Sequence, residues 1–116
     1  MAKAIYWQRG ESLDYTNGGS AKIDANTIID LGACIGIAGT DIAVGETGSL
    51  HVVGVFECPK SSTNKIDLGT KVYFDGTGIT EAANDGEQVP TAYTPVGYAV
   101  ANAAASATKI LVKLLG

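Results

Sequence analysis

Lys22–Thr27 reads KIDANT and Lys65–Thr70 reads KIDLGT, two near-copies of one hexapeptide in a chain of 116 residues. The likeness continues downstream of each. The first copy runs on through IIDLG into ACIGIAGTDIAVGETGSLHVV; the second runs through KVYFDG and an insertion into PVGYAVANAAASATKILVKLL. Aligned without gaps, Ile35-Gly36-Ile37-Ala38 falls on Val96-Gly97-Tyr98-Ala99, Asp41 on Asn102, Ala43 on Ala104, Thr47 on Thr108 and Leu50 on Leu111. A long internal match in constant order marks a duplicated structural unit, and two copies are too few for a solenoid. The sequence therefore reads as one domain over residues 1–116, with an N-terminal arm at 1–9, a first β-unit at about 20–58 and a second at about 63–116.

The two copies annotate each other. Asn26 and Gly69 share one slot, and Asn and Gly are the residues that best tolerate positive φ, so a left-handed turn residue is expected at both. Gly36 and Gly97 also correspond, each inside an apolar run, where glycine marks a bulge or a close backbone approach. A phosphate loop is the other use of such glycines. No Gly-Lys dipeptide occurs anywhere, so the P-loop pattern is absent, and so is GxGxxG.

Alternating and β-branched segments dominate the chain. Expected strands are Ala4–Arg9, Leu13–Thr16, Thr27–Leu31, Cys34–Ala38, Ser49–Glu57, Lys71–Asp75, Gly97–Ala101 and Thr108–Leu114. Turn chemistry separates them at Asn17-Gly18 and Asp75-Gly76, and Cys58–Asn64 is a polar connector. The insertion, residues 77–94, carries Asn84-Asp85-Gly86 and Pro90 and reads as an excursion with at most the short strand Ile79–Thr80. Ala101–Ala107 is alanine-rich but short, so a turn or a single helical turn is expected there. Many short, closely spaced strands with little or no helix give an all-β class, a small β-sandwich or barrel.

Composition narrows the function. Hydrophobic residues are 46% of the chain, charged residues 17%, and the net charge is −4. Nucleic-acid binding needs a basic stripe, so no nucleic-acid partner is expected. The N-terminus lacks the long apolar run of a secretory signal, and no segment is apolar for long enough to span a membrane. Two cysteines, Cys34 and Cys58, without CxxC spacing, read as reduced, small apolar side chains, which fits synthesis in a cytoplasm.

Candidates for chemistry are few. His51 is the single histidine, and on an extended strand it shares a face with Ser49, Val53 and Glu57. Same-face neighbours on one strand do not make a triad, which needs groups converging from several elements; a sheet-surface or interface histidine is the expectation. Cys34, His51 and Cys58 are the three residues a zinc site could draw on, but an extended strand holds His51 far from Cys58. The aspartates do not follow calcium-loop spacing. No catalytic residue, cofactor or metal is expected. More informative are Tyr6 and Trp7, side by side and flanked by Lys3 and Arg9. Trp, Tyr and Arg dominate binding hot spots. Strand neighbours point to opposite faces, so one ring can enter the core while the other stays available, or both can cap the core.

In this order and spacing, GVFECPK, GTKVYFD, PVGYA and ATKILVKLL resemble the phage capsid cement family, small head-decoration proteins of tailed bacteriophages. The resemblance runs from MAKAIYWQRGESLDYT to the C-terminus. Two positions depart from the family pattern: Ala25-Asn26 stands where a Gly-Asp pair is usual, and Cys58 where an aliphatic residue is usual. The resemblance implies a structural, non-enzymatic virion protein on the capsid exterior that binds the major capsid protein and reinforces the shell. It also implies self-association, a homotrimer ahead of a homodimer. Shell contact is expected on the arm, at Lys3, Tyr6, Trp7 and Arg9. The competing expectation is a small β-barrel module that binds peptide or carbohydrate in a groove lined by aromatic residues.

Overall fold

Strand β9, Lys109–Leu114, shows why this chain folds as sheet: Ile110, Val112 and Leu114 are buried while Lys109 and Leu111 are exposed, the period of two that places alternate side chains on opposite faces. A computed structural model describes residues 2–114; Met1 of the expected arm and Leu115 and Gly116 of the expected second unit lie outside the described residues. The other strands are β1 Ser12–Thr16, β2 Ile28–Asp30, β3 Ile35–Ala38, β4 Thr47–His51, β5 Val55–Pro59, β6 Lys71–Phe74, β7 Ile79–Thr80 and β8 Thr94–Ala99. They form two antiparallel sheets, ordered β1-β4-β3-β2 and β5-β9-β8-β6-β7, with no helix among the described residues. The all-β sandwich expected from the sequence is the observed class. Ile35 and Ile37 of the first sheet share one core with Cys58, Val72, Val96, Ile110 and Val112 of the second. Ala38, Ile42 and Leu50 are buried beside it.

The two hexapeptides make the same bonds. Ile23 bridges to Ile42, and Ile66 to Ala103. The Asn26 amide donates to the Ala38 carbonyl and the Gly69 amide to that of Ala99, both at 2.7 Å. Asn26 has φ 72° and Gly69 φ 90°, the expected left-handed pair. The amides of Ala25 and Leu68 donate to the side-chain oxygens of Asp41 and Asn102 at 2.8 and 2.7 Å. Even the ion pairs repeat, Lys22 to Asp24 at 3.2 Å and Lys65 to Asp67 at 3.6 Å.

Hydrogen bonds extend this correspondence beyond the hexapeptides. Val52 donates to Glu11 as Leu114 does to Gly54. Asn17 donates to Glu46 as Lys60 does to Thr108, both at 2.9 Å. Strand β1 thus occupies in its sheet the place that β5 occupies in the other. These pairings also correct the gapless alignment. The pair Ala107-Thr108 stands where the first copy has Glu46 alone, one extra residue, so Leu50 corresponds to Val112 and Thr47 to Lys109. Burial agrees, because Leu50 and Val112 are buried while Leu111 is 40% exposed. A one-residue slip moves a strand's side chains to the other face, and the core selects the register.

Asn17 and Lys60 are buried polar residues in equivalent places, and both spend their donors on loop carbonyls. Asn17 Nδ2 donates to Ala21 and Ile42 at 2.9 and 3.0 Å; Lys60 Nζ donates to Ser62 and Ala105 at 2.7 and 3.3 Å. Each residue pins the loop beside its sheet, and burial without such partners would cost several kcal/mol.

Three strand expectations change. Residues 4–9 form no strand. Ser49–Glu57 is not one strand: the chain turns through Val52–Gly54, with φ 128° at Gly54, and passes to the other sheet. Strand β8 begins at Thr94 rather than Gly97, because Pro95 is tolerated at a register shift opposite Val72 and Tyr73. Gly97 lies at the same irregularity; a Cβ there would land on the Lys113 carbonyl, the close approach expected of this glycine. The alanine-rich Ala101–Ala107 is a turn closed by the Ala107 amide on Ala104, matching Glu46 on Ala43.

The Asp75 turn carries a pH prediction. Partial burial alone would raise the Asp75 carboxyl, but the Ser61 hydroxyl and the Thr77 and Gly78 amides donate to it at 2.7–2.9 Å and hold it below its ordinary value. A depressed carboxylate contributes stability that is present above the unfolded value, near 3.8, and is lost as pH falls through the lower folded value. Asp75→Ala should cost about 1–3 kcal/mol at neutral pH. Its deficit relative to the parent should shrink in melts run below pH ~4, and a pH-independent deficit would contradict the assignment.

Candidate functional site

The arm comes first because nothing covers it. All eight residues of Ala2–Arg9 are exposed, with Ile5 at 89%, Tyr6 at 79% and Trp7 at 88%. Neither ring enters the core, because this segment pairs with no strand; both expectations that used the core for Tyr6 or Trp7 are corrected. Arg9 reaches back to Glu11 at 3.4 Å, across a solvent-exposed pair worth little. Lys3, Tyr6, Trp7 and Arg9 therefore sit together on one projecting segment.

His51 is placed differently from the strand reading. The break at Val52–Gly54 carries Glu57 to the other sheet, where it pairs with Leu111, so Ser49, His51 and Glu57 do not share a strand face. The imidazole instead meets Ser12 of β1, with Oγ 3.1 Å from Nδ1, and lies 6.2 Å from the Phe56 ring. A Cβ on Gly39 would fall 2.8 Å from Nε2. Among the described residues no acid orients the ring, and the imidazole serves as packing between the β1–β4 pair and β5. Ser12 escaped the sequence reading because its partnership depends on the β1–β4 register.

Cys34 lies at the β2–β3 turn and Cys58 is buried in β5, on the other sheet. Burial pushes the Cys58 thiol up, which disfavours the reactive thiolate. The described residues hold no cluster of three or more His, Cys, Asp or Glu side chains suited to a metal.

The outer face of the five-stranded sheet is the second notable surface, and the sequence reading missed it. Cross-strand partners project to the same side, so Lys71, Tyr98, Lys113 and Val55 form one row across β6, β8, β9 and β5. Lys113 Nζ lies 5.9 Å from the centre of the Tyr98 ring, a cation–π distance. A depression of about 310 Å³, lined by Lys71, Tyr73, Pro95 and Tyr98, opens where the register shifts. Alternation along β9 was the available signal for part of this face, since it sets Lys109, Leu111 and Lys113 outward together.

Comparison with known proteins adds one positive finding. A family model described as phage cement protein matches residues 7–114, nearly the whole chain. No curated protein and no solved structure matches.

Proposed function

The chain belongs to the phage cement protein family, a structural family whose members associate with the capsid, and from that premise we propose that it seats on the outer surface of a tailed-phage head and holds neighbouring capsomers together. The observation that carries the reading is the uncovered arm: three consecutive large apolar side chains, Ile5, Tyr6 and Trp7, stand in solvent. Contiguous exposed apolar surface of this kind marks an interaction site. Lys3, Tyr6, Trp7 and Arg9 are the shell-contact residues in this proposal.

The mechanism is mechanical. Packaged DNA pushes outward, and the shell yields where capsomers meet. A stiff domain seated across a junction adds buried contact that must be broken before the junction opens; a standard interface buries about 1,600 Å² in all. Self-association as a homotrimer multiplies those contacts through effective concentration, and each seated copy then holds the others in place.

Co-sedimentation with purified phage heads tests this directly. Saturable binding to expanded heads is expected, with weaker binding before expansion and a higher disruption temperature once occupied. Heads that neither retain the protein nor gain heat resistance would refute the cement role.

A further inference from the structure

The chain carries eight Lys and Arg residues against twelve Asp and Glu. Arg9, Lys22 and Lys65 are engaged by carboxylates, and Lys60 is buried on carbonyls. Among the described residues, that leaves Lys3 on the arm and three lysines without a carboxylate partner, Lys71, Lys109 and Lys113. All three belong to the outer face of the five-stranded sheet. On an acidic protein, three of these four lysines stand on one sheet face, against the single carboxylate of Glu57.

Two of these ammonium groups flank one ring. Lys71 and Lys113 are the cross-strand partners of Tyr98 on either side, about two strand spacings, or ~10 Å, apart. The row continues into Val55, which is 55% exposed, and the neighbouring row holds Leu111. Apolar patches between like charges, Val55 and Leu111, fit a protein partner better than a phosphate backbone, which offers them no apolar counterpart. The single carboxylate among the described residues of this face, Glu57 beside Leu111, leaves the lysines in excess.

We infer that this face is a second shell-docking surface, built to receive an acidic segment of the capsid protein. The inference rests on the cement reading and adds to it a site and a partner chemistry. Charge complementarity of this type acts on encounter rate and orientation as well as on affinity.

The test is head occupancy of the full chain carrying Lys71→Glu and Lys113→Glu, against wild type and against a control with the same net charge, Lys22→Glu and Lys65→Glu. The first should bind expanded heads at least about tenfold more weakly while the control stays near wild type. Should the double reversal misfold, Lys71→Gln with Lys113→Gln keeps the question open to measurement: raising salt from about 0.05 to about 0.5 M should weaken the wild type more than this variant. Equal occupancy, or equal salt dependence, of the folded variants overturns this inference and leaves the cement role standing. Wild type that ignores heads removes both. Tight, Lys71- and Lys113-dependent binding of a single-stranded oligonucleotide instead overturns the choice of a protein partner.

Discussion

A chain lacking residues 2–9 should fold normally and fail to hold expanded heads. The fold is expected to survive because every core residue lies at or beyond Ile35, apart from the half-buried Ile28 packed against the core. The melt should stay within about 0.5 kcal/mol of the parent, the usual range for surface changes. Binding should collapse because Tyr6 and Trp7 are the residue types that act as interface anchors, each worth about 2 kcal/mol or more when truncated. Two such anchors together correspond to roughly a thousandfold in affinity. Tyr6→Ala with Trp7→Ala should reproduce most of the loss without shortening the chain. Occupancy equal to wild type in both variants would take the arm out of the contact and leave the sheet faces to carry it.

Gly97→Ala is expected to be the most damaging conservative substitution in the core. The added methyl would occupy the place of the Lys113 carbonyl, which is backbone on the adjacent central strand and has no rotamer to yield. Strands β8 and β9 would have to part where Gly97 pairs with Leu114. A loss beyond about 4 kcal/mol follows, a large share of the stability of a small domain. The equivalent Gly36 supplies the contrast. A methyl there meets Leu50 Cγ at 2.5 Å, a side chain that can change rotamer, and the cost should stay near 1–3 kcal/mol. Urea midpoints of the two variants decide the matter; equal midpoints would show that β8 and β9 are looser than the structure describes.

The sheet class, β7, the left-handed pair Asn26 and Gly69, and the close approach at Gly97 were all legible from residue type and repetition. These are local signals: glycine placement, alternation, a copied hexapeptide. The alignment slip at Thr108 was not legible, because shared letters at Thr47 and Thr108 and at Leu50 and Leu111 favour the gapless match. Only the demand that Val112 rather than Leu111 be buried overrides them. The transfer of β5 to the second sheet was hidden for a related reason. Val52–Glu57 alternates well enough to extend β4, and only tertiary pairing decides which sheet receives it. For the candidate site, Tyr6 and Trp7 were readable as binding residue types, but their complete exposure was not. The lysine–tyrosine row needed the registers of four strands, information that no single segment contains.

The repeat also shows where this chain accepts foreign sequence. In the first copy, β2 returns to β3 through Leu31–Cys34 alone; in the second, the matching return carries the whole excursion between β6 and β8. Ile79 and Thr80 are buried and belong to the scaffold, whereas residues 82–92 are exposed from end to end. The same hairpin therefore closes with or without that tip. An epitope or affinity tag grafted into 82–92 would be displayed outward while the rest of the chain kept its pairing, which makes the excursion a natural port for decorating particles.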